Sequence, residues 1–138
     1  MEDYKVHASD LKDRGNEAWK VGDTQKAIDF YSQAIDLNPD DHLLYGNRSA
    51  AYIKMDFISK ALKDAERAVE LCPTWSKGHL RLGTAQQGLK RLEAALASFK
   101  KAADLDKDSE AAKKALRKCE DLIEAEKSAR FEEAEQER

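Results

Sequence analysis

Apolar and polar residues follow one another along this chain with a helical beat. Between residues 8 and 109 the apolar positions recur at intervals of three and four in short runs. The runs come in pairs, and each pair is divided by a brief break at Gly22-Asp23, Met55-Asp56 or Lys90-Arg91. Such spacing places the apolar side chains on one face of a helix, whereas a half-buried strand needs strict alternation. Each pair therefore predicts a helical hairpin.

The hairpins are copies of one another. Ala27, Ala61 and Ala95 stand 34 residues apart, as do Ala34, Ala68 and Ala102. Gly15, Ser49 and Gly83 put a small residue in register, Leu37, Leu71 and Leu105 an apolar one, and Tyr31, Ala65 and Phe99 a packing position. Three copies span about 8–41, 42–75 and 76–109. The small residues let the two helices of a hairpin approach closely. Pro39 and Pro73 are expected to end the second helix, because proline lacks the N–H and disfavours helical geometry in the residue before it. One hairpin cannot bury its own apolar face, so three share a continuous core by stacking into a curved solenoid.

The third copy carries Lys107 where a proline is due, and Asp108 and Ser109 behind it are good N-cap residues for a further helix. Ala112, Leu116, Cys119 and Ile123 form an apolar stripe on that helix, suited to covering the third hairpin. This reads as a capping helix over about 109–125 that closes a domain of residues 1–125. Beyond Glu126 the stripe dissolves into alternating charge, with Phe131 the one sizeable apolar residue. Residues 126–138 are therefore expected to form a charged helical extension or a frayed linker.

Composition sharpens this to an all-α fold: 21 Ala and 14 Leu stand against three Val, five Ile and three Thr. A formal net charge of -3 weighs against nucleic acid as a partner. No apolar run approaches the roughly 18–20 residues that cross a bilayer, so no membrane partner and a cytoplasmic or nuclear location are expected. Cys72 and Cys119 lack any CxxC or histidine spacing and read as free thiols. His7, His42 and His79 have no nucleophile or metal-ligand partner at a telling distance in the chain, and no phosphate-binding glycine loop is present. Neither catalysis nor a metal or other cofactor is expected.

A 34-residue helix–turn–helix with small residues at these places, an aromatic and a closing proline resembles the tetratricopeptide repeat, and the resemblance covers about residues 8–109. It implies a right-handed α-solenoid whose first helices line a concave face. On that face Lys12 and Asn16 lie four apart in the first copy, and Lys77 and Arg81 four apart in the third. Asn47 holds in the second copy the place of Arg81 in the third, so the five converge on one groove. Lys77 and Arg81 also repel each other, which costs a lone helix about 0.2–0.5 kcal/mol. An anionic ligand would reverse that cost.

The segments LKDRGNEAW, YGNRSAAY and WSKGHLRLG, which carry the five residues, are similar to the co-chaperone members of this family, above all to the first tetratricopeptide domain of the stress-inducible organising co-chaperones. There a two-carboxylate clamp of two lysines, two asparagines and a further cation holds the main-chain carboxylate and last Asp side chain of a chaperone tail. The resemblance implies that Lys12, Asn16, Asn47, Lys77 and Arg81 form such a clamp for a tail ending in Glu-Glu-Val-Asp, from a heat-shock chaperone of the seventy- or ninety-kilodalton class. Trp19 and Ile53, with Ala50 beside them, would receive an apolar side chain of the peptide, and Lys54 a glutamate. The expected protein is a monomeric adaptor. Two alternatives stand: the targeting arm of a longer enzyme, such as a prolyl isomerase, phosphatase or ubiquitin ligase, or a general repeat scaffold that binds internal peptides.

Overall fold

The computed structural model describes residues 3–138, and among these it holds seven α-helices and no strand. They are α1 (Asp3–Lys20), α2 (Thr24–Leu37), α3 (His42–Lys54), α4 (Ile58–Leu71), α5 (Ser76–Gly88), α6 (Leu92–Leu105) and α7 (Glu110–Gln136). Neighbours in sequence are neighbours in space: α1 packs on α2, α3 on α4 and α5 on α6. The hairpins stack through α2 against α3 and α4 against α5, and α7 lies on α6 and touches α5.

The tight turn inside each hairpin is built the same way three times. Gly22, Asp56 and Lys90, spaced by the repeat, all take left-handed backbone angles, with φ of 86°, 64° and 64°. The next residue then donates its N–H back to the helix just ended: Asp23 to Ala18 O, Phe57 to Tyr52 O and Arg91 to Gln86 O, each at 2.9 Å. This six-residue closure satisfies carbonyls that the helix end would otherwise leave bare. Only the first turn has the glycine that such a φ favours; in the other two an L side chain is held there. The residue that closes one helix also opens the next. Asp23 does this with a side-chain bond from Lys26 N at 3.2 Å, whereas Phe57 and Arg91 open α4 and α6 without one.

The second helices stop two residues short of Pro39 and Pro73, at Leu37 and Leu71. α6 stops at the equivalent Leu105 with no proline to enforce it. Asp106 accepts the Asp108 N–H on its own carboxylate at 3.2 Å, a local turn that competes with helix continuation. Ser109 then caps α7 by accepting from Ala112 N at 3.1 Å.

The small positions work in matched pairs. A Cβ placed on Gly15 would lie 2.5 Å from the Tyr31 ring, and one on Gly83 2.6 Å from the Phe99 ring, so each glycine is the seat of an aromatic side chain. In the middle hairpin Ala65 stands in place of the aromatic, and the freed space admits Ser49, whose hydroxyl donates to Ala61 O at 2.8 Å. Within the second hairpin a bidentate ion pair joins Arg48 of α3 to the buried Asp64 of α4 with both N···O distances at 2.7 Å, and Arg48 also reaches the first hairpin by donating to Ser32 Oγ of α2 at 3.1 Å. Burial acts to lower the Arg48 pKa, but the bonds and charge of Asp64 outweigh it and hold it above the usual arginine value.

Ala112 of α7 is buried, and the buried Cys119 and Ile123 and half-buried Leu116 form one cluster with Ala95 and Phe99 of α6, against which Leu80 of α5 also packs. From Glu124 onward every residue is exposed, including Phe131 at 67%. Of the two forms expected beyond residue 126, the structure has the helical extension: α7 runs on unbroken to Gln136. Pairs such as Glu126 with Arg130, one turn apart, support the helix where packing has ended.

Candidate functional site

α1, α3 and α5 stand side by side and present one face each to a common groove. Asn16 and Trp19 of α1, Asn47 and Ala50 of α3, Arg81 of α5 and Tyr31 of α2 line a small cleft of about 100 Å³ in it. Of the five residues expected to converge, the structure thus brings three into direct proximity. The remaining two, Lys12 and Lys77, stand outside the cleft lining.

Asn16 is the best-fixed group of the site. Its Oδ1 accepts the Tyr31 hydroxyl at 2.6 Å and the Asn47 amide at 3.4 Å. With the oxygen engaged, the Asn16 NH₂ is left to face an acceptor in the cleft. Tyr31 is a site residue that the sequence reading treated only as packing. Its ring fills the seat over Gly15 while its hydroxyl reaches through to the groove, and burial pushes its pKa up to about 12, so it remains a donor throughout the physiological range.

Arg81 is half-buried, and its Nε lies out of water with no hydrogen-bond partner among the described residues. Burial lowers its pKa below the usual arginine value, yet the group stays charged. A buried N–H without an acceptor costs about 1–3 kcal/mol, so the site carries a standing demand for an oxygen at this point. Lys77, one turn earlier on α5, is exposed and forms no ion pair among the described residues.

Lys12 is partly engaged: its Nζ lies 3.8 Å from Asp41 Oδ2. Asp41 in turn caps α3 by accepting from Leu43 N at 3.0 Å, so it serves the fold as well as the charge balance. Lys54 is not free either. Its Nζ stands 5.0 Å from the centre of the Trp19 ring, a cation–π contact that bridges α1 and α3 over the apolar end of the groove. Ile53 is half-buried beside it. The arrangement offers cations and amide donors at one end and an apolar wall at the other, which suits a carboxylate followed by an apolar side chain.

The histidines and cysteines take no part. His79 is buried with Nε2 at 2.7 Å from Pro73 O, and His42 packs edge-on against Trp75. Both thiols are free, and the described residues hold no group of three His, Cys, Asp or Glu placed to bind a metal. None of the helices is long and apolar enough to cross a membrane.

Three stacked hairpins with an amide- and guanidinium-lined cleft on the face of their first helices define a helical-repeat binding module. Family models described as tetratricopeptide repeat match residues 8–41 and 76–109. The first tetratricopeptide domain of Spaghetti (RPAP3), solved bound to the HSP90 peptide SRMEEVD, superposes with a TM-score of 0.82 at 30% identity, covering 86% of this chain and 94% of that one. The chain belongs to the tetratricopeptide repeat family. Among curated relatives, the Hsp70-Hsp90 organizing protein of Triticum aestivum is 43% identical over 109 residues, covering 79% of this chain and 19% of the relative. Serine/threonine-protein phosphatase 5 of Rattus norvegicus is 36% identical over 116 residues, covering 84% of this chain and 23% of the relative. The chain thus spans about a fifth of the length of these two relatives.

Proposed function

We propose that this chain is a co-chaperone adaptor module, without catalysis of its own, that binds the C-terminal Glu-Glu-Val-Asp tail of heat-shock chaperones through a two-carboxylate clamp. The observation that carries the reading is that Arg81 lines the same cleft as Asn16 and Asn47. A terminal Asp presents a main-chain and a side-chain carboxylate a few ångströms apart. Asn16 and Asn47 orient one, Arg81 and Lys77 take the other, and Lys12 is drawn from Asp41 toward the incoming charge. Charge-assisted hydrogen bonds of this kind are worth about 1.5–3 kcal/mol each. Desolvation and ordering of the peptide consume much of that, leaving micromolar affinity. Trp19, Ala50 and Ile53 form the wall for the apolar residue before the terminal Asp, and Lys54 borders it.

Calorimetry with peptides from both chaperone tails, each with a free and an amidated C-terminus, tests the reading. The free peptides should bind and amidation should weaken them at least tenfold; equal affinity for the two forms would overturn the clamp and favour a scaffold for internal peptides. A second reading draws on the likeness to phosphatase 5, in which the same module would be the targeting arm of a longer enzyme. Sequencing the complete transcript separates adaptor from targeting arm without altering the role of the clamp.

A further inference from the structure

α7 is more than a lid. α3, α5 and α7 begin at His42, Ser76 and Glu110, at the spacing of the repeat, so α7 occupies the place of a fourth first helix. In that register Lys114 stands in the column of Lys12, Gly46 and Leu80, and Lys118 in the column of Asn16, Ala50 and Thr84. Asn16 and Ala50 of the second column line the cleft, and Lys118 continues that column onto α7. Ala115, in the column of Asn47 and Arg81, and Leu80 of α5 both pack against the buried cluster of Ala95, Phe99, Cys119 and Ile123, which ties α7 to α5 and α6.

Lys114 and Lys118 line a cleft along α7 together with Glu110, Arg117 and Asp121. Lys114, Arg117 and Lys118 are all exposed, and among the described residues none of them forms an ion pair. Three cations within two turns repel one another, and they sit in the first half of their helix, where the dipole favours acids. The rest of α7 reverses the balance, with Glu124, Glu126, Glu132, Glu133 and Glu135 against Lys127 and Arg130. Glu110 and Asp121 border these cations, but Glu110 is already paired with Lys113.

We infer that Lys114 and Lys118, flanked by Arg117, form an extension of the peptide groove that binds acidic side chains upstream of the terminal four residues of the ligand. The inference rests on the proposed tail-binding function. Adjacent packed helices lie about 10 Å apart, and an extended peptide advances about 3.3 Å per residue. A chain anchored at Arg81 therefore reaches α7 about three residues upstream, and one anchored at Asn47 on α3 about six.

The test uses the whole chain and two peptides that share a free Glu-Glu-Val-Asp end, preceded by either three aspartates or three serines. The aspartate peptide should bind about fivefold more tightly to the wild type, the effect of two exposed ion pairs. In the double variant Lys114→Glu/Lys118→Glu that advantage should vanish or invert, while the serine peptide binds as before. Wild-type amide shifts in α7 should move with the aspartate peptide and stay still with the serine one. Both variant positions are exposed, and Lys114→Gln/Lys118→Gln supplies a milder pair with the same expected loss of preference. No preference in the wild type, or a preference that survives in either variant, overturns the inference while the clamp stands on the serine peptide. If neither free-ended peptide binds at all, the clamp itself fails and the inference falls with it.

Discussion

Arg81→Met should make the unliganded protein more stable and the peptide complex far weaker. Methionine keeps the unbranched stem that packs in the groove wall and removes the buried, unpartnered Nε together with its charge. Relief of an unsatisfied buried N–H is worth about 1–3 kcal/mol, and loss of the repulsion with Lys77 adds about 0.2–0.5 kcal/mol. Allowing for contacts that methionine does not remake, we expect a net gain of about 1–2 kcal/mol. For a chain of this size that raises Tm by about 3–6 °C in differential scanning calorimetry. Binding should move the other way: removing a charge-assisted pair of about 1.5–3 kcal/mol weakens the tail peptide about 10- to 150-fold by titration calorimetry. A variant that melts below the wild type would show that Arg81 is satisfied in the free protein, and one that binds the peptide within twofold would remove Arg81 from the clamp.

Tyr31→Phe leaves the ring seated over Gly15 but frees Asn16 to rotate, so Tm should fall by only a few degrees while tail affinity drops about five- to tenfold; unchanged affinity would mean that Tyr31 is packing alone. Because the Tyr31 pKa in the folded chain is about 12, above the 10.0 of a free tyrosine, its contribution is fully present below pH 10 and is lost as the unfolded state ionises first between pH 10 and 12. Urea melts across that window should show a steeper loss for wild type than for Tyr31→Phe. Asp56→Gly and Lys90→Gly each remove a side chain from a left-handed turn position and should raise stability by about 1 kcal/mol by chemical denaturation, whereas Gly22→Ala should lower it by a similar amount. Ile123→Ala should destabilise by about 2–4 kcal/mol and Phe131→Ala by less than about 0.5 kcal/mol, since the first is buried against α6 and the second exposed; comparable losses would mean that α7 docks beyond Ile123.

The fold was readable because the repeat states each packing rule three times. A small residue at 15, 49 and 83 says little in one copy, but the co-occurrence of Gly with Tyr31 and Phe99, and of Ser49 with Ala65, is a pattern that sequence alone carries. The turns were legible as breaks, but not their geometry: nothing about Asp56 or Lys90 as residue types announces a positive φ. Proline was expected to end the second helices of the first two copies; in the third, which lacks it, Asp106 makes the stop through a side-chain bond. At the site, residue types and spacing pointed to Asn16, Asn47 and Arg81, which share the cleft, and to Lys12 and Lys77, which stand outside its lining. The state of each was not legible, because it depends on neighbours distant in sequence: Asp41 beside Lys12, Tyr31 behind Asn16, and the burial of the Arg81 Nε. The register of α7 with the first helices was hidden by its reading as a cap, since an apolar stripe looks the same in either role.

The matched seats in the hairpins constrain how such a chain drifts over generations. Gly83→Ser alone would drive a Cβ to 2.6 Å from the Phe99 ring, and overpacking of this kind costs about 1–3 kcal/mol. Phe99→Ala alone empties the seat at about 3–5 kcal/mol. Together the two changes reproduce the arrangement of Ser49 and Ala65 in the middle hairpin, where the hydroxyl donates to a carbonyl and nothing is crowded. The aromatic and the aliphatic hairpin are thus two separate peaks with a valley of one-step intermediates between them. A lineage crosses that valley only when the molecule has several kcal/mol in reserve, so the kind of core each hairpin carries records its ancestry more faithfully than the exposed residues around it.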